Sequence, residues 1–311
     1  MKTVYPNSII LFFAQAALVI GIIPVTGCNI QRMALDQTAA ILKQTTPALE
    51  SESDYEFAVA ALPASIKTFE GFLQSGKDNA NLLELTAMGY ASYGMVALED
   101  QWERAEDMSD EADILAKRTR GMYMRAHGYG LQLIELNHPG FTAAYKKGRD
   151  HLDRALKRLS RKDLPGLLWS AMPLFMAVNV SRDDVTMIAK LPQAKALVVR
   201  LVELDPAFYN AAGHMILGSM YGSVGKMMGG DPVKSKKHFE QALKLTKRRF
   251  LLVQVMYAQT LAVQVQDRAL FTKLLQEVKA AKLSIYPRQS LANVLAKRKA
   301  GRLVAKADEF F

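Results

Sequence analysis

Apolar residues recur at three- and four-residue spacings along nearly the whole chain, while sustained two-residue alternation of β-branched side chains is almost absent. A period near 3.6 marks helices that bury one face, so the pattern predicts an all-α protein. In the first half the expected helices cover residues 36–49, 53–62, 65–73, 79–98, 102–117, 119–136 and 141–159. Pro63 suits the first turn of the third, Gly76 and Asp78 precede the fourth, and Asn137-His138-Pro139-Gly140 stops the sixth. A strongly apolar helix is expected over 167–180, kinked or delayed by Pro173, with Ser181 capping the next and Asp183 and Asp184 in its first turn. The C-terminal half is more regular, with helices at 185–189, 193–204, 207–225, 232–247, 250–265, 267–281 and 288–309. The links are short, which makes successive helices antiparallel neighbours on one packing surface without an interdomain linker.

The N-terminus departs from this pattern. Met1 and Lys2 precede an apolar run over residues 9–23, followed by Pro24-Val25-Thr26-Gly27-Cys28. The run is shorter than the roughly 20 residues that span a bilayer and ends in small residues rather than a charged flank, as a secretory signal does. Val25-Thr26-Gly27-Cys28 resembles a bacterial lipobox. Residues 1–27 are therefore expected to be a lipoprotein signal peptide, and Cys28 the acylated first residue of one helical domain over 28–311. Several acyl chains would form a firm membrane anchor, at about 0.8 kcal/mol per buried methylene. The other reading is a turn cysteine in an ordinary secreted protein. Cys28 is the one cysteine of the chain, which excludes an intrachain disulfide and a zinc site built from several cysteines.

Self-similarity then sharpens the fold. His151-Leu152-Asp153-Arg154-Ala155-Leu156-Lys157 aligns without a gap on His238-Phe239-Glu240-Gln241-Ala242-Leu243-Lys244. Leu217-Gly218, Tyr221, Gly225, Ser235, Phe239 and Ala242 resemble the order of large and small positions in tetratricopeptide repeats, and residues 200–206 resemble the closing turn. Gly218 and Ala242 would let antiparallel helices approach closely, with Leu217, Tyr221 and Phe239 filling the gap between them. The spacing from Gly218 to Phe239 exceeds the repeat's by about five residues, placed at 227–231. The expected architecture is a tetratricopeptide-like superhelix of antiparallel helix pairs.

The C-terminal half carries a closer likeness. Leu168-Trp169 with Asn179, Ile188-Ala189-Lys190-Leu191-Pro192, residues 200–206, Gly213-His214, Gly229-Gly230-Asp231-Pro232, residues 238–243, residues 266–271 and Leu291-Ala292-Asn293 carry it. In these stretches the chain resembles the T-component family of lipoproteins associated with tripartite ATP-independent periplasmic (TRAP) transporters, best over 165–311. Lys226-Met227-Met228 departs from the proline-bearing loop expected before the double glycine. The resemblance implies a periplasm-facing lipoprotein with a channel or cavity through its helical body, homotrimeric assembly, and association with the substrate-binding component of a TRAP system. It implies no enzymatic activity and no cofactor.

Composition changes this picture little. Hydrophobic residues at 50% and charged residues at 23% suit a large core. The net charge of +10 speaks for surface attraction, and nothing resembles a nucleic-acid recognition module. The basic runs at 146–149, 154–162, 234–237, 247–249 and 297–299 are expected to be mostly solvated helix faces, suited to anionic headgroups or an acidic protein. His127, His138, His151, His214 and His238 have no metal-ligand spacing, and Gly128-Tyr129-Gly130 opens no phosphate-binding unit.

Two clusters are candidate contacts for a ligand or partner. Trp169 and Phe175 offer apolar area beside Asn179 and Arg182, as a small-molecule site requires. In the loop before Pro232, Asp231 with Lys226 and Lys234 would meet a partner or an acidic ligand. Caps and local ion pairs account for both clusters without any ligand, and that is the default reading. Methionines such as Met88 and Met172 fill the core or line an adaptable channel. Three readings follow. The first is a TRAP accessory lipoprotein that docks the binding component and holds or passes a small apolar or amphipathic ligand. The second is an envelope scaffold with a filled interior, and the third an envelope enzyme with an unrecognised acid pair. Asn29 after Cys28 fits an outer-membrane address.

Overall fold

The computed structural model describes residues 27–105, 109–225, 227 and 229–311, with the backbone alone for Cys28 and Asn29. The expected leader up to residue 26, the Cys28 side chain and Lys226 lie outside the described residues. Among those residues every regular element is helical. The chain opens with α1 (Gly27–Gln44), α2 (Thr46–Glu50), α3 (Tyr55–Ser75) and α4 (Ala80–Tyr93), and α4 continues through a π-helical turn, Gly94–Glu99, into α5 (Asp100–Trp102). Then come α6 (Asp110–Asn137), α7 (Phe141–Lys146), α8 (Arg149–Leu156) and α9 (Leu164–Asn179). The C-terminal half holds α10 (Val185–Ile188), α11 (Leu191–Leu204), α12 (Phe208–Gly222), α13 (Pro232–Leu245) and α14 (Leu252–Tyr257), which runs on through a second π-helical turn, Ala258–Ala262. The last helices are α15 (Arg268–Ala280), α16 (Ser290–Ala305) and α17 (Ala307–Phe310).

Successive helices pair as expected of a tetratricopeptide-like array: α3 with α4, α11 with α12, α12 with α13, and α15 with α16. Gly218 lies so close to α13 that a Cβ there would sit 2.9 Å from the Phe239 ring, and Ser235 donates to the Gly218 carbonyl at 2.7 Å. Starts are fixed by side chains. Asp54, Asn79, Ser109, Asp184, Asp231 and Asp267 each accept from a backbone amide in the first turn, worth about 1 kcal/mol apiece.

Several boundaries differ from the periodicity. Residues 53–62 and 65–73 form one helix, because Pro63 is exposed while Leu62 and Ile66 on either side are buried. Their burial outweighs the lost backbone hydrogen bond. The break expected near residue 118 falls instead before Ser109, which accepts from the Ala112 amide at 3.1 Å and starts a 28-residue α6. Gly148, at φ 108°, divides the segment expected as 141–159. Asp184 rather than Ser181 caps α10, accepting from the Thr186 and Met187 amides at 2.9 and 3.2 Å.

The centre of the molecule is the crossing of α6 with α9. A Cβ on Gly130 would lie 2.4 Å from the Ser170 nitrogen, so the two backbones touch there. Beside it His127 is buried, and that burial pulls its pKa down to about 4. The ring is therefore neutral at pH 7, and its Nδ1 donates to the Ser170 carbonyl at 2.7 Å. The array is closed by a second device. Asp100, fully buried, accepts from Arg302 at 2.7 Å and meets Arg298 at 3.3 Å, while Lys299 reaches Glu99 at 2.8 Å and also Glu103. The run 297–299 therefore is not a solvated face: Lys299 points inward from α16 and ties the C-terminus to the π-helical turn. Burial alone would raise the pKa of Asp100 and Glu103, but Arg302 beside the first and Lys299 beside the second hold both below the ordinary range.

Gly130→Ala is expected to destabilise the protein by about 1–3 kcal/mol through overpacking. Gly128→Ala, with open space around its Cβ position, should be neutral or stabilising. Equal denaturation midpoints for the two variants would refute the contact. Lys299→Met leaves buried carboxylates short of a cation and is expected to cost about 3–5 kcal/mol in urea unfolding at pH 7. The folded pKa values of Asp100 and Glu103 are depressed, so their contribution is full above about pH 5 and is lost as pH falls through the unfolded and then the folded values. The wild-type excess in stability over Lys299→Met should shrink accordingly in acid.

Candidate functional site

The site is built around α2, a helix of five residues. Such a helix does not hold itself together in water. It is held by Glu50, whose two carboxylate oxygens accept from the Tyr209 hydroxyl at 3.0 Å and the Gln289 amide at 3.1 Å. Burial raises the Glu50 pKa, and the two donors oppose that only in part. Tyr209 begins a left-handed run with Asn210 and Ala211, at φ 46°, 57° and 57°, at the start of α12. Left-handed backbone costs roughly 1–2 kcal/mol for each residue that is not glycine. Here it is held by Tyr209 on Glu50, by the Tyr286 hydroxyl on Asn210 at 2.9 Å, and by the Tyr209 ring edge-on to Trp169 at 5.3 Å.

On one side α2 borders a cavity of about 350 Å³ against α3 and α4, walled by Leu49, Phe57, Ala61, Leu62, Ile66, Phe69 and Met88. On the other lies a chamber of about 190 Å³ between α2, α4, α9 and α12, with Leu168, Trp169, Phe208 and Tyr209 as apolar wall. Thr46, Leu85 and Met88 border both. The larger cavity is mainly apolar but also has Thr45, Glu52, Ser65 and Ser92 in its lining, whereas the smaller chamber holds Glu50 and the Lys43–Glu84 ion pair at 2.6 Å. Ala61 and Ser65 are small residues on the face of α3 that Leu62 and Ile66 otherwise fill, and this leaves the room. Apolar walls with a few polar groups, at the lower end of the usual 300–1,000 Å³, suit the binding of a small apolar or amphipathic molecule.

The structure brings only part of the expected cluster to this place. Trp169 lines the smaller chamber, but Phe175 is buried in the core, Asn179 is half-buried ten residues along α9, about 15 Å away by helical rise, and Arg182 is exposed. At the other candidate loop, Gly229 takes φ 88°, Asp231 caps α13 by accepting from the Lys234 amide at 3.0 Å, and the Lys234 ammonium pairs with Asp231 at 2.9 Å. Asp231 and Lys234 thus meet each other, well placed for a turn. Of the N-terminal walls only Met88 stands out in the sequence, as a core or channel-lining methionine, and the others, including Glu50, carry no motif that marks them. The one available signal was small Ala61 and Ser65 interrupting an apolar helix face.

Space also joins what spacing kept apart. His214 and His238, on α12 and α13, place their Nδ1 atoms 2.9 Å apart. Burial lowers both pKa values, that of His214 to about 4, so one neutral ring donates to the other. Among the described residues no group of three or more His, Cys, Asp or Glu side chains is placed to hold a metal ion.

The raised Glu50 pKa sets a pH dependence. Stability should increase as pH falls through that value and level off near the unfolded glutamate pKa of about 4.3. Glu50→Gln keeps an acceptor without the charge, so it is expected to raise the thermal midpoint at pH 7 and flatten that window. Tyr209→Phe should cost about 1 kcal/mol and speed hydrogen exchange in residues 46–50. Unchanged exchange there would separate Tyr209 from the positioning of α2.

A family model described as the TRAP transporter T-component matches residues 51–311. A protein of Treponema pallidum (strain Nichols), described as uncharacterized, is 22% identical over 301 residues, covering 92% of this chain and 93% of its own length. The family match starts well before the C-terminal half, in which the sequence likeness was strongest, and takes in α3 and α4 with most of the cavity wall. The chain belongs to the TRAP transporter T-component family.

Proposed function

We propose that this T-component is a lipoprotein facing the periplasm, with residues 1–27 as its signal peptide and Cys28 as the acylated first residue of the helical domain. It acts at the outer membrane as a homotrimer that docks the substrate-binding component of a TRAP system and holds a small apolar or amphipathic ligand beneath α2. Family membership supports a transport-accessory role without a covalent step. The observation that carries the ligand reading is the pair of chambers sharing Thr46, Leu85 and Met88, mainly apolar in the larger and rimmed by Lys43, Glu50 and Glu84 in the smaller. In this reading an apolar chain lies along Ile66, Phe69 and Met88, a polar end reaches Lys43, and Trp169 closes the inner wall. A scaffold with a filled interior has no use for such space.

Co-purification from native membranes followed by native mass spectrometry tests the reading. The expected result is an oligomer carrying a TRAP binding component and a small molecule that organic extraction releases. Ala61→Phe puts a ring into the larger chamber and is expected to weaken retention of that molecule by about tenfold or more, equivalent to at least ~1.4 kcal/mol. Its thermal midpoint and partner binding should stay at wild-type values. Equal ligand occupancy in the variant, or an empty wild-type protein, would remove the ligand role, and absence of the binding component would remove the docking role.

A further inference from the structure

Helix α1 has two apolar faces. Leu35 and Ala39 on the inner one are buried, with Leu42 beside them, against Leu73, Leu82 and Leu83. Its charges lie along one neighbouring strip and each is engaged: Arg32 meets Asp36 at 3.5 Å and Asp78 at 2.9 Å, and Lys43 meets Glu84 at 2.6 Å. At about 100° per residue, Ile30, Met33, Ala34, Gln37 and Ile41 fall together on the side opposite the buried face. All five are exposed, Ile30, Met33 and Ile41 at 60% each, and none is charged. A surface helix ordinarily turns its charged residues to solvent and its apolar residues inward, so this outer stripe requires a partner of its own.

We infer that the outer face of α1 beds into the lipid surface, at the boundary between headgroups and acyl chains. Its location rests on the lipoprotein reading of Cys28, and three observations point to lipid as the occupant. The backbone of Cys28 already belongs to α1, so no tether separates the anchoring residue from the stripe, which starts at Ile30. Over α1's rise of about 1.5 Å per residue, Ile41 lies within roughly 20 Å of Cys28, a reach that a helix lying flat on the membrane covers. The stripe carries no charge while the whole chain carries +10, which suits an immersed apolar face on a protein drawn to anionic headgroups. Leu42, next to Ile41, is a wall of the larger cavity, so one helix presents lipid on one face and the cavity on another.

The test uses the full chain, purified from membranes and reconstituted in phosphatidylethanolamine/phosphatidylglycerol vesicles. Intact mass first reports whether Cys28 is acylated, which judges the anchoring reading by itself. Nitroxide labels on Met33→Cys, Ile41→Cys and, as a control in an exposed turn on the body, Lys162→Cys then report collision with oxygen, which concentrates in lipid, and with a water-soluble nickel chelate. Labels at 33 and 41 are expected to show an oxygen-to-nickel ratio several-fold above that at 162, and the same shift should appear on vesicles even if the mass shows no acyl chains. Nickel accessibility at 33 and 41 equal to that at 162 would overturn the inference. Labels shielded from both reagents and broadened by one another would also overturn it, in favour of a second copy of the chain on this face.

Discussion

The backbone contact between α6 and α9 is the constraint from which the site follows. Only a residue without a Cβ allows α6 to approach Ser170 as Gly130 does, and the neutral His127 adds a hydrogen bond from α6 to the Ser170 carbonyl beside it. Trp169 is the neighbour of Ser170, so the same contact sets where its indole lies. The indole meets Tyr209, and Tyr209 reaches Glu50 across the chamber. A helix too short to be stable alone is therefore positioned by a chain of contacts that begins at a glycine on the far side of α9. The left-handed turn at Tyr209 is the strained link in that chain, and strain of this sort persists only where the surroundings determine it from several sides.

Closure of the array uses a different kind of force. The cluster of Glu99, Asp100 and Glu103 with Lys299 and Arg302 takes charges out of water, which is costly unless each finds its partner. Its worth lies in the penalty for any arrangement that separates the partners. Apolar side chains tolerate a helix sliding by a turn, whereas these groups do not, so the ion cluster fixes the register of α16 against the π-helical turn. Tyr123, donating to Glu99 from α6, brings the central helix into the same network.

Helical content, the pairing of neighbours and the close approach at Gly218 were legible in the sequence, because they depend on periodicity and on residue size along single helices. The helix boundaries at Pro63 and Ser109 were not, because burial of flanking residues overrode one local signal and a cap supplied another. The inward turn of Lys299 was hidden because a basic run looks the same whether it faces water or carboxylates about 200 residues away in sequence. His214 and His238 show the same limit, since two residues 24 apart meet only through the packing of two helices. Among the described candidate contacts Trp169 borders one of these two chambers, as does Met88, and most of the other walls come from helices whose apolar faces read simply as core. A cavity is a deficit of volume, and spacing patterns record which residues face inward without recording how much of the space they leave empty.

The π-helical turn Gly94–Glu99 gives the segment after it a dependence on counting. A wide turn accommodates a residue beyond what an α-helix would hold over the same rise, and each residue removed or added rotates everything downstream by about 100°. Asp100 and Glu103 meet α16 only in the present phase. Exchanges of side chain along residues 94–99 are consequently local matters of fit, but a one-residue change of length there would turn buried acids towards apolar neighbours while leaving the composition almost untouched. Over the course of divergence, gains and losses of residues should therefore concentrate beyond Glu103 in the stretch leading to Ser109, making this π-helical turn a ruler by which alignments of distant relatives can be phased.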